Sequence, residues 1–214
     1  MMNQTTKFWH QWISLQLTHN LDRMVDLSIK NFHFPGLNYV CFDFQPHQTI
    51  RLYIIDPSSK PIDTEEVSIH NHLYDSQILV LQGHITNRTY KLNNDRDDYN
   101  AYELTSALHP DNHDRKIKLK HLTKRGLDVN QVIELKEGDT HFQPHTEIHN
   151  VTNDQSLFTA FMVFEFPTVK KHSVIWTKES HDDLTIPTPD AYLKYEPEEL
   201  KALVTRMLDT MNNS

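Results

Sequence analysis

The sequence predicts a mainly-β chain, built as a sandwich, jelly roll or barrel, with helix at each end. Three observations predict it. Short runs rich in Val, Ile, Tyr and Phe follow one another from Asn38 to Thr177. Turn-forming segments separate them at close intervals, as in all-β architectures. Towards both ends the apolar spacing changes to the helical period.

Residues 6–30 open the chain as helix. Phe8, Trp12, Leu17, Leu21, Met24 and Val25 form one apolar stripe, interrupted at Asn20, and so predict a helix packed over a sheet. The strand runs are Asn38–Phe44, Ile50–Asp56, Ser76–Gln82, His84–Leu92, Gln131–Leu135, Phe158–Phe166 and Ser173–Thr177. Between them Gln45–His47, Pro57–Pro61, Asn93–Asn100, Glu137–Asp139 and Pro167 read as turns. The polar stretch His109–Asn130 reads as an excursion from the sheet. Within it Lys116, Lys118 and Lys120 alternate with Ile117 and Leu119, the pattern of a strand with one solvated face. Pro197 suits the first turn of a helix, with Glu198 and Glu199 at its positive end. Leu200, Leu203, Val204, Met207, Leu208 and Met211 then supply a buried stripe. This helix over 197–212 either caps the core or meets another subunit. The expected division is a single domain over 1–214, with a helical extension at 1–35, a β core at 38–178 and a terminal helix at 196–212.

Composition narrows the function classes. A net charge of −8 argues against a nucleic-acid partner, which requires a clustered basic surface. No apolar stretch approaches the ~20 residues of a membrane helix. The opening MMNQTTKFWHQW lacks the basic start and apolar run of a secretory signal. A cytoplasmic protein acting on a small molecule is the expectation. Cys41 is the only cysteine, so intrachain disulfides and multi-cysteine metal sites are excluded. The 15 histidines against 4 glycines direct attention to imidazole chemistry.

In Ile69–Gly83, IHNHLYDSQILVLQG, His70 and His72 stand two apart where a strand begins. Alternation then points both rings to one face, close enough to chelate one ion. Two such histidines are often ordinary polar residues, so the second segment matters more. Gly138–Asn153, GDTHFQPHTEIHNVTN, runs Gly138, five residues, Pro144, four residues, His149, three residues, Asn153. That order resembles the second conserved motif of the cupin superfamily. His70-x-His72, three residues, Ser76, six residues, Gly83 resembles the first.

The resemblance implies a cupin double-stranded β-helix, or jelly roll, with His70, His72 and His149 holding a divalent metal in the mouth of the barrel. Fe(II) is favoured, with Zn, Ni or Mn as alternatives, since neutral imidazole suits several of these ions. Three such ligands leave positions open for substrate, water or O2. Ser76 stands where the superfamily usually places a ligating glutamate, or Gln77 if the register slips by one. Thr64 and Thr146 replace two motif glycines. A three-histidine cupin without the glutamate is similar to the thiol dioxygenases, such as cysteine dioxygenase. Leu81-Gln82-Gly83 and His149-Asn150-Val151-Thr152-Asn153 echo that family's strings. The likeness implies O2 and a bidentate substrate on iron. The family's tyrosine corresponds to Phe164, and its carboxylate-binding arginine falls near Phe42–Phe44, where no basic residue stands. Thiol specificity does not carry over.

Other residues complete the candidate site. His145 and His141 flank the second motif as residues that would tune a ligand or substrate, or as turn histidines. His84 reads as structural, and His109, His113 and His121 as polar residues of the excursion. Asp75 and Glu147 are the carboxylates nearest in sequence and candidates for a general base. Arg51 and Arg88, with Tyr53 and Tyr90 two residues on, would bind a substrate anion if they face inward, and would be solvated if outward. The function expected is a non-haem Fe(II) oxygenase. The alternatives are a non-redox isomerase or hydrolase, or a small-ligand-binding module. A homodimer is the expectation drawn from the resemblance.

Overall fold

Asn3 starts the first helix, its side chain accepting a hydrogen bond from the Thr6 N–H at 2.8 Å. The computed structural model describes residues 3–30, 32, 36–45, 48–57, 69–105, 117–153, 156–178, 185–186 and 193–212. Thr64, His109, His113 and Lys116 lie outside the described residues. Helix α1 (Gln4–His19) stops at Asn20, and α2 (Leu21–Leu27) follows at once, as the break in the stripe predicts. Trp12, Leu17, Leu21, Met24 and Val25 of the predicted stripe pack on the core, and the face departs from the expected one at Phe8. Phe8 is exposed, while Ile13 is buried and Trp9 and Trp12 pack on Phe164 and Phe42. The sheet's aromatic positions choose the face, which the helical period alone does not.

Among the described residues twelve strands follow: β1 (Leu37–Gln45), β2 (Gln48–Ile55), β3 (Ile69–His70), β4 (Tyr74–Gln82), β5 (His84–Asn93), β6 (Tyr99–Thr105), β7 (Ile117–Lys136), β8 (Thr140–Gln143), β9 (Ile148–Thr152), β10 (Thr159–Thr168), β11 (Ser173–Thr177) and β12 (Thr185–Ile186). They form two antiparallel sheets, β1-β2-β10-β4-β8 and β12-β7-β5-β9-β3-β11-β6. Strand β7 also pairs with β6, so the second sheet closes on itself. Gly83 joins β4 to β5 at φ 72°, where a Cβ would lie 2.7 Å from Thr159 Oγ1. Both the backbone angle and the space demand glycine there.

Two expectations are corrected. The stretch 117–130 is not an excursion but the first part of β7, paired with β6 and then β5. Leu119 and Leu127 are buried while Lys118, Lys120 and most of their neighbours are exposed, so a strand with one wet face reads as polar in sequence. Pro167 is not a turn but lies within β10, where the ladder to β4 is irregular between Glu165 and Thr168 and no amide is needed.

Helix α3 (Pro197–Asn212) buries all six residues of its predicted stripe. With Ile13 and Met24 they cover Leu52, Ile54, Leu79, Leu81, Ala160 and Met162 of the first sheet. The helix therefore caps the core. Each such side chain, fully buried, stabilises by roughly 1.5–3 kcal/mol. The opposite face of that sheet sends Ile55, Ile78, Val80 and Phe161 against Ile85 and Leu135 of the second. Between these sheets lies the polar cluster of interest. No helix among the described residues is long and apolar enough to cross a membrane.

Candidate metal centre

Register brings the first and third histidines together: His70 of β3 stands opposite His149 of β9. His72 lies beyond the end of β3, in the connection to β4. Asn71, between His70 and His72, still donates its backbone N–H to the Val174 carbonyl of β11, and the His72 ring joins that of His70 on one side, as alternation predicts. Ligand atoms of His70, His72 and His149 all lie within 4.8 Å of one another. The Nε2 atoms of His72 and His149 are 2.9 Å apart. Nitrogens ~2.1 Å from a shared ion at that spacing subtend roughly a right angle, as neighbouring ligands do. Among the described residues no carboxylate or thiol joins the group.

His149 is buried, and desolvation together with the nearby His70 and His141 pushes its pKa well below the ordinary value. It is thus neutral at neutral pH, the form a metal requires. The donor set fits one divalent ion. The residues around His149 were not all foreseen. Its Nδ1 lies 2.7 Å from Asn87 Oδ1 and 2.7 Å from Gln143 Nε2. Asn87 Nδ2 also donates to Glu147 Oε1 at 3.1 Å and contacts His141 Nε2 at 3.2 Å. Gln143 Nε2 donates to the same Glu147 oxygen at 3.2 Å. Although burial opposes its charge, hydrogen bonds from His141, Asn87 and Gln143 hold the Glu147 carboxyl below its usual range. Glu147 is thus an anchor of this network, not a free general base. Inward alternation on β5 could have singled out Asn87. Gln143, which precedes Pro144, carried no such signal.

The vacant glutamate position is filled by neither candidate. Ser76 Oγ donates to Gln143 Oε1 at 3.2 Å, so it orients that amide. Gln77 alternates onto the opposite face with Leu79 and Leu81 and contacts the Ile78 carbonyl at 3.4 Å. His145 turns to Asp75, with Nδ1 2.7 Å from the carboxylate, and its backbone N–H donates to the same oxygen. These bonds hold Asp75 below its ordinary pKa. His121 is exposed and meets the Tyr102 ring edge-on.

The two arginine–tyrosine pairs separate. Arg88 and Tyr90 occupy the outer face of β5, because Thr89 opposite His149 takes the inner one. Tyr90 packs with Ile148 and Trp176, and its hydroxyl donates to Asn150 Oδ1 at 3.2 Å. Neither faces the histidines. Arg51 and Tyr53 do lie inside, yet Arg51 is not open to a substrate anion. Its Nη1 is 2.6 Å from Glu165 Oε1, the two side chains being 12% and 5% exposed, and its guanidinium lies over the rings of Tyr39 and Tyr74. Although burial disfavours its charge, Tyr39, Tyr74 and Glu165 raise the Arg51 pKa. Burial pushes Glu165 upward while Arg51 opposes the shift. Tyr74 links the clusters: its hydroxyl accepts from Arg51 at 3.3 Å, and its ring centroid is 5.4 Å from that of His72.

Two facing antiparallel sheets enclose histidines delivered by both motif segments, as the resemblance implies. The fold is an antiparallel two-sheet jelly roll, the architecture that resemblance implies. No family model matches the chain, and no curated protein does. Among solved structures, the Lactobacillus farciminis oxalate decarboxylase in its formate complex is 12% identical, with 69% of this chain and 33% of that one covered at TM-score 0.38. A Sphingomonas hydroquinone 1,2-dioxygenase with 4-hydroxybenzoate bound is 11% identical, with 60% and 65% covered at TM-score 0.33. A Desulfitobacterium hafniense cupin superfamily protein is 14% identical, with 64% and 96% covered at TM-score 0.35. The chain thus spans about a third of the decarboxylase and just under two thirds of the dioxygenase. At such identities and TM-scores these likenesses carry no inference about reaction, and the sheet order and histidine cluster are this chain's own.

Proposed function

We propose that the chain is a mononuclear metal-dependent oxidoreductase, an Fe(II) dioxygenase acting on a small organic substrate. The observation that carries this reading is the convergence of three imidazoles with no carboxylate among them. His70, His72 and His149 would hold the ion, and the ion would supply the site for O2 and substrate. Three neutral ligands leave its double charge uncompensated, which favours an anionic or chelating substrate. The chain's own residues prepare the site. Desolvation keeps His149 unprotonated, and the Asn87, Gln143 and Glu147 network restrains its ring. Half-buried His70 and His72 mark the side from which solvent and substrate approach. Tyr74 lines that side next to His72.

The test is elemental analysis of anaerobically purified protein, followed by oxygen uptake with a panel of small carboxylic, phenolic and thiol compounds. Bound iron and substrate-dependent oxygen uptake are expected. Full occupancy by zinc with no oxygen uptake would replace this reading with Lewis-acid chemistry, such as hydrolysis or isomerisation. Ligand binding without metal would leave a binding module.

A further inference from the structure

His149 Nδ1 meets an amide oxygen from Asn87 and an amide nitrogen from Gln143, both at 2.7 Å. One ring nitrogen cannot donate to the first and accept from the second, so one contact sets the tautomer. Both amides are held, the Asn87 nitrogen by Glu147 and His141, the Gln143 amide by Glu147 at its nitrogen and by Ser76 at its oxygen. The other side of the ring separates them: His149 Nε2 is the nitrogen that faces His72, so a ligating ring carries its proton on Nδ1, where Asn87 Oδ1 is the acceptor. Turning the Asn87 amide over would set its oxygen against the Glu147 carboxylate and lose the His141 contact. Resting on the metal-centre reading above, we propose that Asn87 is the positioning residue that fixes which nitrogen of His149 faces the ion. Its Oδ1 holds the proton on Nδ1, and the Nε2 lone pair is left pointing at the point shared with His72. Asn87 acts through His149 and does not touch the ion itself. A hydrogen-bond acceptor behind a ligating imidazole fixes both its tautomer and its orientation.

The test compares wild type with Asn87→Leu, which removes the acceptor, and with the exchange Asn87→Asp plus Glu147→Gln, which keeps the acceptor and its bond to position 147. Two readouts serve: ring-nitrogen NMR of metal-free protein with labelled histidine, assigned through the His149→Gln spectrum, and Co(II) affinity by chelator competition. Wild type and the exchange variant should show His149 protonated on Nδ1. Asn87→Leu should lose that signature and bind Co(II) about 10–100-fold more weakly. Wild-type protein protonated on Nε2, or Asn87→Leu binding with unchanged affinity, would overturn the inference. Should Asn87→Leu not fold, the wild-type tautomer still decides. If wild type binds no metal at all, the metal reading fails while the tautomer measurement continues to judge Asn87.

Discussion

Around His149 the buried polar groups are imidazoles and carboxamides with one carboxylate, Glu147, behind them. Around Arg51, which Tyr74 links to His72, a full guanidinium already lies against the Glu165 carboxylate. The first cluster brings no guanidinium or ammonium group to its histidines and gathers ring nitrogens towards one point. The second carries its own compensation. Inside a low-dielectric interior that difference decides which cluster is able to take up an ion, because an unpaired charge is costly and a paired one is already satisfied. Arg51 therefore belongs to the scaffold that holds Tyr74 beside His72, and the histidines belong to the chemistry.

The sharpest way to break this contrast is His149→Ala. It should abolish metal binding in elemental analysis, a loss exceeding the ~100-fold seen for outer groups. Retained stoichiometry would show that the cluster is not the ligand set. Next in size, Arg51→Met should destabilise the fold by about 3–5 kcal/mol in urea titration, since it strands Glu165. The double replacement Arg51→Met with Glu165→Leu should recover most of that loss. A single variant as stable as wild type would mean the ion pair is not what holds this region.

Acidity sharpens the contrast further, because the clusters respond with opposite sign. His149 titrates below its ordinary value when folded, so its contribution is present above about pH 6.5 and is lost as pH falls through the folded pKa. Glu165 titrates above its ordinary value, so its contribution is present at low pH and declines as pH rises past about 4.3. Urea titrations of metal-free protein from pH 4.5 to 7.5 should therefore steepen upward in Glu165→Gln and flatten in His149→Phe, by up to ~1.4 kcal/mol per pH unit. Identical slopes in all three proteins would contradict the assignment. Smallest of all, Tyr90→Phe should cost about 1 kcal/mol through its bond to Asn150 and leave Co(II) affinity unchanged. Altered affinity would place Tyr90 nearer the site than its face of β5 allows.

Much of the architecture is legible locally. The apolar run of Ser76–Gln82, the alternation of His84–Leu92 and the stripe of α3 each depend on neighbours a few residues apart, and each recurs in the fold. Where the reading fails, the deciding partner is distant. Strand β6 begins at Tyr99 inside a stretch that looks like turn, and 117–130 joins the sheet because β6 and β5 offer it ladders. Phe8 loses the buried face to Trp9 and Ile13, because Phe164 of the sheet receives the Trp9 ring as Phe42 receives that of Trp12.

The same division runs through the site. Spacing within two short segments determines which imidazoles are candidates, because a motif preserves loop length and turn geometry over a dozen residues. Strand register across the interior decides the rest. It sets Asn87 and Gln143 against His149, sends Arg88 and Tyr90 to the outer face, and gives Arg51 its carboxylate. A one-residue slip would exchange all of those faces while leaving the sequence unchanged.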